Sequence, residues 1–202
     1  IRTYLAPLIF GNTGNIGLPL SFFAFGQEGL SYAVVIFSIM AIYAFTFGVW
    51  LVSGGGNLKK VLKEPLVGAT ILGAIFLYNG WQTPRFLTAT LELIGQMAIP
   101  LMLITLGVAI SRLKPQDLSK ASIYSALKFV VCFLCCLPAF LLFNLEYIAS
   151  AILLLQVTTP VAVTSYLLAT KYKADAESVA SLVIISTLFS IFYIPIILIF
   201  LI

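Results

Sequence analysis

The run Phe10-Gly-Asn-Thr-Gly-Asn-Ile-Gly-Leu-Pro-Leu20 sets three glycines, two asparagines, a threonine and a proline inside an apolar stretch. A second cluster, Gln156-Val-Thr-Thr-Pro160, interrupts another apolar stretch. These residue types suit binding rather than bond-making. Pro160 removes a backbone donor and clashes with the preceding turn, and Gly11, Gly14 and Gly17 let the backbone approach a ligand closely. A helix broken at such a place exposes the unpaired N–H groups and the positive dipole end of its second half, a natural anion site. Asn12, Thr13, Gly14, Asn15, Gln156, Thr158, Thr159 and Pro160 are therefore the candidate substrate-binding residues, and Gly11, Gly17 and Pro19 the candidates for shaping the break. The competing reading is that these side chains only satisfy backbone groups freed at the breaks, and that Gly14 and Gly17 serve close helix packing.

Three further residues are candidates for a coupling or charge site. Lys128 lies within an apolar segment, where a lysine is a functional candidate by default, although its stem is long enough to snorkel to the interface. Glu92 and Gln96 lie near one end of another segment, where interfacial placement competes with a coupling role. Cys132, Cys135 and Cys136 form an odd cluster inside one apolar run and read as packing residues, not a disulfide frame or metal site. The chain has no histidine, and Asp117 and Asp175 fall in loops, so no enzyme, cofactor or metal site is expected. A retinal protein would need a lysine in the last segment, and Ser178 to Ile202 carries no charge.

These residues must be positioned by helices in a bilayer. Hydrophobic residues make up 61% of the 202-residue chain and charged residues 9%, against roughly 25% charged in soluble domains. Such a chain cannot cover itself with polar surface. Seven apolar segments follow: Thr3–Phe25, Gly29–Val52, Leu66–Tyr78, Leu87–Ile110, Ile123–Phe143, Ile148–Thr170 and Ser178–Ile202. The basic residues Lys59, Lys60, Lys63, Arg112, Lys114, Lys120, Lys171 and Lys173 fall in alternate loops, whereas the other loops hold only Arg85. The positive-inside rule makes the first set cytoplasmic and places the C-terminus outside, in a multi-pass protein of the plasma (inner) membrane. The net charge of +4 resides in these loops and is no nucleic-acid signature. Trp50, Tyr78 and Trp81 read as interfacial belt residues.

The two broken segments, residues 3–25 and 148–170, are the first and the sixth. An odd offset of five spans turns the two units opposite ways across the membrane. Each is followed by a short polar turn and a long apolar helix, and "GLSYAVVIFS" (29–38) and "ESVASLVIIS" (177–186) share valine, isoleucine and serine at three positions. Paired discontinuous helices in inverted repeats point to a secondary-transporter binding site. On this reading residues 1–52 hold the last two helices of a first repeat, 53–65 a cytoplasmic linker, and 66–202 a second repeat of five helices. Three helices are then expected before Ile1, ten in all.

"GNTGNIGLPL", "FGQEGLSYAVV", "IPLMLITLGVAI" and "TTPVAVTSYLLATKYKADAESVASLVIISTL" resemble the auxin efflux carrier family, which includes the plant PIN auxin exporters and bacterial carboxylate permeases. The resemblance runs along essentially the whole chain. It implies an all-α, 5+5 inverted-repeat transporter with a scaffold domain, a transport domain and two crossing discontinuous helices, of which this chain covers about seven of ten. It implies elevator-type carriage of organic anions such as malate, malonate or auxin, and sets the expectation of a homodimer formed through the scaffold domain. Asn12 matches the asparagine of the first crossover, Pro19 a proline beyond it, and Pro160 the second crossover proline with Gln156 before it. Gly11 stands where the plant carriers have proline and Asn15 where they have an apolar residue, which favours a small polar carboxylate. A sodium- or proton-coupled symporter and an anion channel remain the alternatives.

Overall fold

The computed structural model describes residues 3–53 and 65–201. The linker expected over 53–65 lies almost wholly outside them. The described elements are helices: α1 (Leu5–Ile9), α2 (Leu18–Tyr43), α3 (Val49–Ser53), α4 (Pro65–Asn79), α5 (Arg85–Gln96), α6 (Ala98–Ser111), α7 (Leu118–Phe143), α8 (Tyr147–Val157), α9 (Val163–Lys171) and α10 (Ala176–Leu201). A widened π turn at Thr13–Gly17 leads into α2, and another at Ala44–Gly48 joins α2 to α3.

α2 reverses direction at Gly26, whose φ of 61° and ψ of −150° lie outside the helical region. In a straight helix Gly14 and Phe37 would be about 35 Å apart. Instead a Cβ built on Gly14 would come within 2.9 Å of Phe37 Cε2. The polar "GQEG" turn is thus a hairpin that begins at its first glycine.

The other segments keep their predicted places with shifted ends. The fourth divides at Met97 into α5 and α6. The fifth begins five residues early, because Asp117 caps α7 by accepting from Lys120 N at 3.4 Å and pairing with Lys120 Nζ at 2.6 Å. Lys128 consequently lies deeper in its helix than the apolar pattern implies.

Among the described residues, four helical runs are long and apolar enough to cross a membrane: 13–53, 85–111, 118–143 and 176–201. The first contains the Gly26 reversal. α5 and α6 bury none of their residues within this chain, while large apolar side chains such as Phe86, Leu141 and Phe200 are exposed. Contiguous apolar exposure on this scale fits lipid, not water. The chain is an all-α polytopic membrane protein.

The packed interior surrounds α8, α9 and α10. Val161, Val163, Val179, Leu182 and Val183 form one cluster with Leu113 and Ala121. Leu18, Ala33, Ile152, Leu155 and Ile197 form another between α2, α8 and α10. Both broken segments run through this interior.

Candidate functional site

The two breaks meet. α1 ends at Ile9 and the helix resumes at Thr13; α8 ends at Val157 and α9 begins at Val163. Between these ends Gly11 and Val161 form an antiparallel bridge. Asn12 N donates to the Pro160 carbonyl at 2.7 Å, and Ala162 N donates to the Phe10 carbonyl at 3.3 Å. Two extended segments thus satisfy one another's backbone where helix is impossible, as irregular backbone at membrane depth requires. Gly11 is needed for this approach. A Cβ there would collide with Thr159 Oγ1 and lie 3.2 Å from the Thr159 carbonyl oxygen.

On one side of the crossing lies a cavity of about 190 Å³. The first break supplies Asn12, Thr13, Gly14 and Asn15 to its wall, the returning arm of α2 Phe37 and Met40, α6 Met102, and the second break Ala162 and Thr164. The volume is below the roughly 300–1,000 Å³ of drug-sized ligand clefts, which restricts it to small molecules. Thr13 and Gly14 open the helix, where amide N–H groups have no intrahelical acceptor. Asn12 caps the amide that follows them: its Oδ1 accepts from Asn15 N at 3.2 Å. Its Nδ2 has no hydrogen-bond partner, although the residue is only 4% exposed. A helix N-terminus thus lines the cavity, and the wall residue Asn12 holds an orphaned amide donor beside it, a combination complementary to an oxyanion.

The second-break candidates occupy different ground. Thr158 Oγ1 donates to the Leu154 carbonyl at 2.7 Å and Thr159 Oγ1 to the Gln156 carbonyl at 2.7 Å. Gln156 is fully buried, with Nε2 3.4 Å from Ser21 Oγ and its carboxamide packed against Gly17. None of these three, nor Pro160, lines the cavity. Their hydroxyls close the end of α8 upon itself. Gly17 and Pro19 are buried where α2 begins.

Four backbone groups across Thr158–Val161 find partners outside the break. Tyr193 Oη donates to the Thr158 carbonyl at 2.8 Å, and Lys128 Nζ to the Thr159 carbonyl at 3.1 Å. Asn12 N takes the Pro160 carbonyl, and Val161 N donates to Ser186 Oγ at 3.0 Å. Lys128 does not snorkel. It is 5% exposed, and its one other hydrogen-bond partner among the described residues is Cys132 Sγ at 3.8 Å.

Glu92 and Gln96 lie elsewhere. Both are exposed on α5 and line a separate hollow of about 650 Å³ with Phe22, Phe23 and Gln27, beside the Gly26 hairpin. The three cysteines are free thiols, with Cys136 buried and Cys135 exposed. Thr164, Ser186 and Tyr193 were not singled out from the sequence. Thr164 follows Pro160 by one turn, a legible signal, whereas Ser186 and Tyr193 are reached only through the packing of α10.

The model of a family described as membrane transport protein matches residues 54–198. An uncharacterized transporter of Methanocaldococcus jannaschii is 28% identical over 200 residues, covering 91% of this chain and 63% of the relative. An uncharacterized transporter of Methanothermobacter thermautotrophicus is 26% identical over 191 residues, with the same coverage. The chain thus spans 63% of the length of these curated relatives. No solved structure matches. With a helical, lipid-compatible fold built around two crossing chain breaks and a family match over most of its length, the chain belongs to the membrane transport protein family, that of the auxin efflux carriers.

Proposed function

We propose that the protein carries small organic anions, carboxylates of the malate or malonate type, across the plasma membrane by alternating access, with the anion bound beside the crossing of the two broken segments. The observation that carries this reading is Asn12: a buried side chain with an unpaired amide donor, at a helix N-terminus, on the wall of a small cavity. The donors are neutral. They can hold a carboxylate by hydrogen bonds without the tight ion pair that would slow its release. Thr13, Gly14 and Asn15 contribute the helix start, and Thr164 a hydroxyl from the opposite break. Gln156, Thr158, Thr159 and Pro160 act as the frame that holds the second break open. The backbone bridge favours an elevator-type motion, because it ties both breaks into one body.

Reconstituted full-length protein should take up labelled malonate or malate in exchange for internal carboxylate, and saturate. Asn12→Ala should lower that uptake by about 10-fold or more, the scale of one lost hydrogen bond to a charged group. Uptake undiminished by this change would refute the site; non-saturating conductance would replace the carrier by a channel.

A further inference from the structure

We propose that Lys128 supplies the fixed positive charge that selects anions at the crossing, acting from behind the second break. This rests on the carboxylate reading above.

Four observations lead there. The ammonium is buried and hydrogen-bonds a neutral carbonyl, that of Thr159, at 3.1 Å. Among the described residues no carboxylate pairs with it; the one ion pair, Asp117 with Lys120, lies at the exposed start of α7. Its neighbours one turn away on the same helix face, Ser125 and Cys132, are neutral, and Ser125 Oγ is itself buried without a partner. Finally, capping a carbonyl here does not require a cation. The adjacent Thr158 carbonyl is capped by the Tyr193 hydroxyl.

A cation in a membrane interior is costly, so its retention where a hydroxyl would serve points to use of the charge. The charge is also well placed. Thr159, whose carbonyl it holds, presses its Oγ1 on Gly11, and Gly11 lines the cavity. In this chain of contacts Thr159 and Gly11 lie between the ammonium and the cavity, and a field acts through low-dielectric protein without any movement of the side chain. The positive potential would favour a carboxylate over a neutral solute, and a dianion over a monoanion.

The test uses the full-length protein in proteoliposomes, with labelled malonate and labelled lactate as dianion and monoanion. Lys128→Gln keeps a donor for the Thr159 carbonyl but removes the charge; Lys128→Arg keeps the charge. The malonate KM should rise about 10-fold or more in Lys128→Gln, with a smaller rise for lactate, and stay near the original value in Lys128→Arg. Ser125→Asp leaves the lysine in place and sets a counter-charge one turn away, so it should raise the malonate KM similarly, while the neutral Ser125→Asn should not. This pair decides the matter should Lys128→Gln fail to fold. Unchanged malonate KM and dianion preference in Lys128→Gln, or equal behaviour of Ser125→Asp and Ser125→Asn, would reduce Lys128 to a cap. If the unsubstituted protein moves neither anion, the carboxylate reading itself falls, and this proposal with it.

Discussion

Asn12 and Pro160, 148 positions apart, are joined by a 2.7 Å bond from backbone N–H to backbone carbonyl. The bond leaves the Asn12 side chain free of any backbone duty toward the second break. Its oxygen caps its own helix and its nitrogen has no hydrogen-bond partner. Asn12→Asp separates these roles. The cap acceptor survives, so thermal unfolding in detergent should change little, whereas Asn12→Ala should cost about 1 kcal/mol. Carboxylate uptake should nonetheless be lost in Asn12→Asp, because a donor has become a like charge. Parallel melting and uptake measurements check both halves.

Ser186 and Tyr193 brace the second break from α10. Removing the Ser186 hydroxyl strands the buried Val161 N–H, which should destabilise the protein by about 1–3 kcal/mol. Tyr193→Phe strands the Thr158 carbonyl, and a carbonyl tolerates a missing partner better than an N–H does, so it should cost less. Chemical denaturation of Ser186→Ala and Tyr193→Phe should rank them in that order.

Gly17 abuts the buried carboxamide of Gln156; a Cβ would lie 2.8 Å from its Cδ. Gly17→Ala should therefore destabilise by about 1–3 kcal/mol through overpacking. Gly68, in α4, has open space about its Cα, and Gly68→Ala should be neutral or stabilising by up to about 1 kcal/mol. Melting temperatures of the two variants should move in opposite directions or differ by several degrees.

At the start of α10, Asp175 accepts from Ser178 N at 3.0 Å and Ser178 Oγ at 2.6 Å. These bonds, the side-chain one foremost, hold its carboxyl below the ordinary 3.8. The depressed pKa means a stabilising contribution present above pH 3.8 and lost as the pH falls through the lower, folded-state value. Ser178→Ala should lessen the contribution at neutral pH and flatten the loss below pH 4. Melting temperature followed from pH 7 to 3 would reveal it.

Both breaks were legible because glycine, asparagine and proline inside an apolar run contradict the helix that the run demands. Pro160 fell within the interruption between Val157 and Val163, and the "GNTGN" run across the end of the first. The hydrogen bonds of Thr158 and Thr159 were not legible: a hydroxyl that faces a ligand and one that bonds its own preceding turn look alike in sequence. The destination of Lys128 was hidden for another reason. Snorkelling and burial depend on where α7 begins and what it packs against, and the Asp117 cap starts the helix before its apolar pattern does. The cavity wall joins residues from α2, α6 and both breaks, an association only tertiary packing creates.

The hairpin at Gly26 bears on movement. One residue, held at a positive φ that side-chain-bearing residues rarely adopt, links the arm that carries Asn12 to the arm that carries Phe37. So short a link has no slack to absorb sliding of one arm past the other. A tilt of either arm is delivered to its neighbour as from one limb of a tuning fork to the other, so that the floor and one wall of the cavity are obliged to travel together.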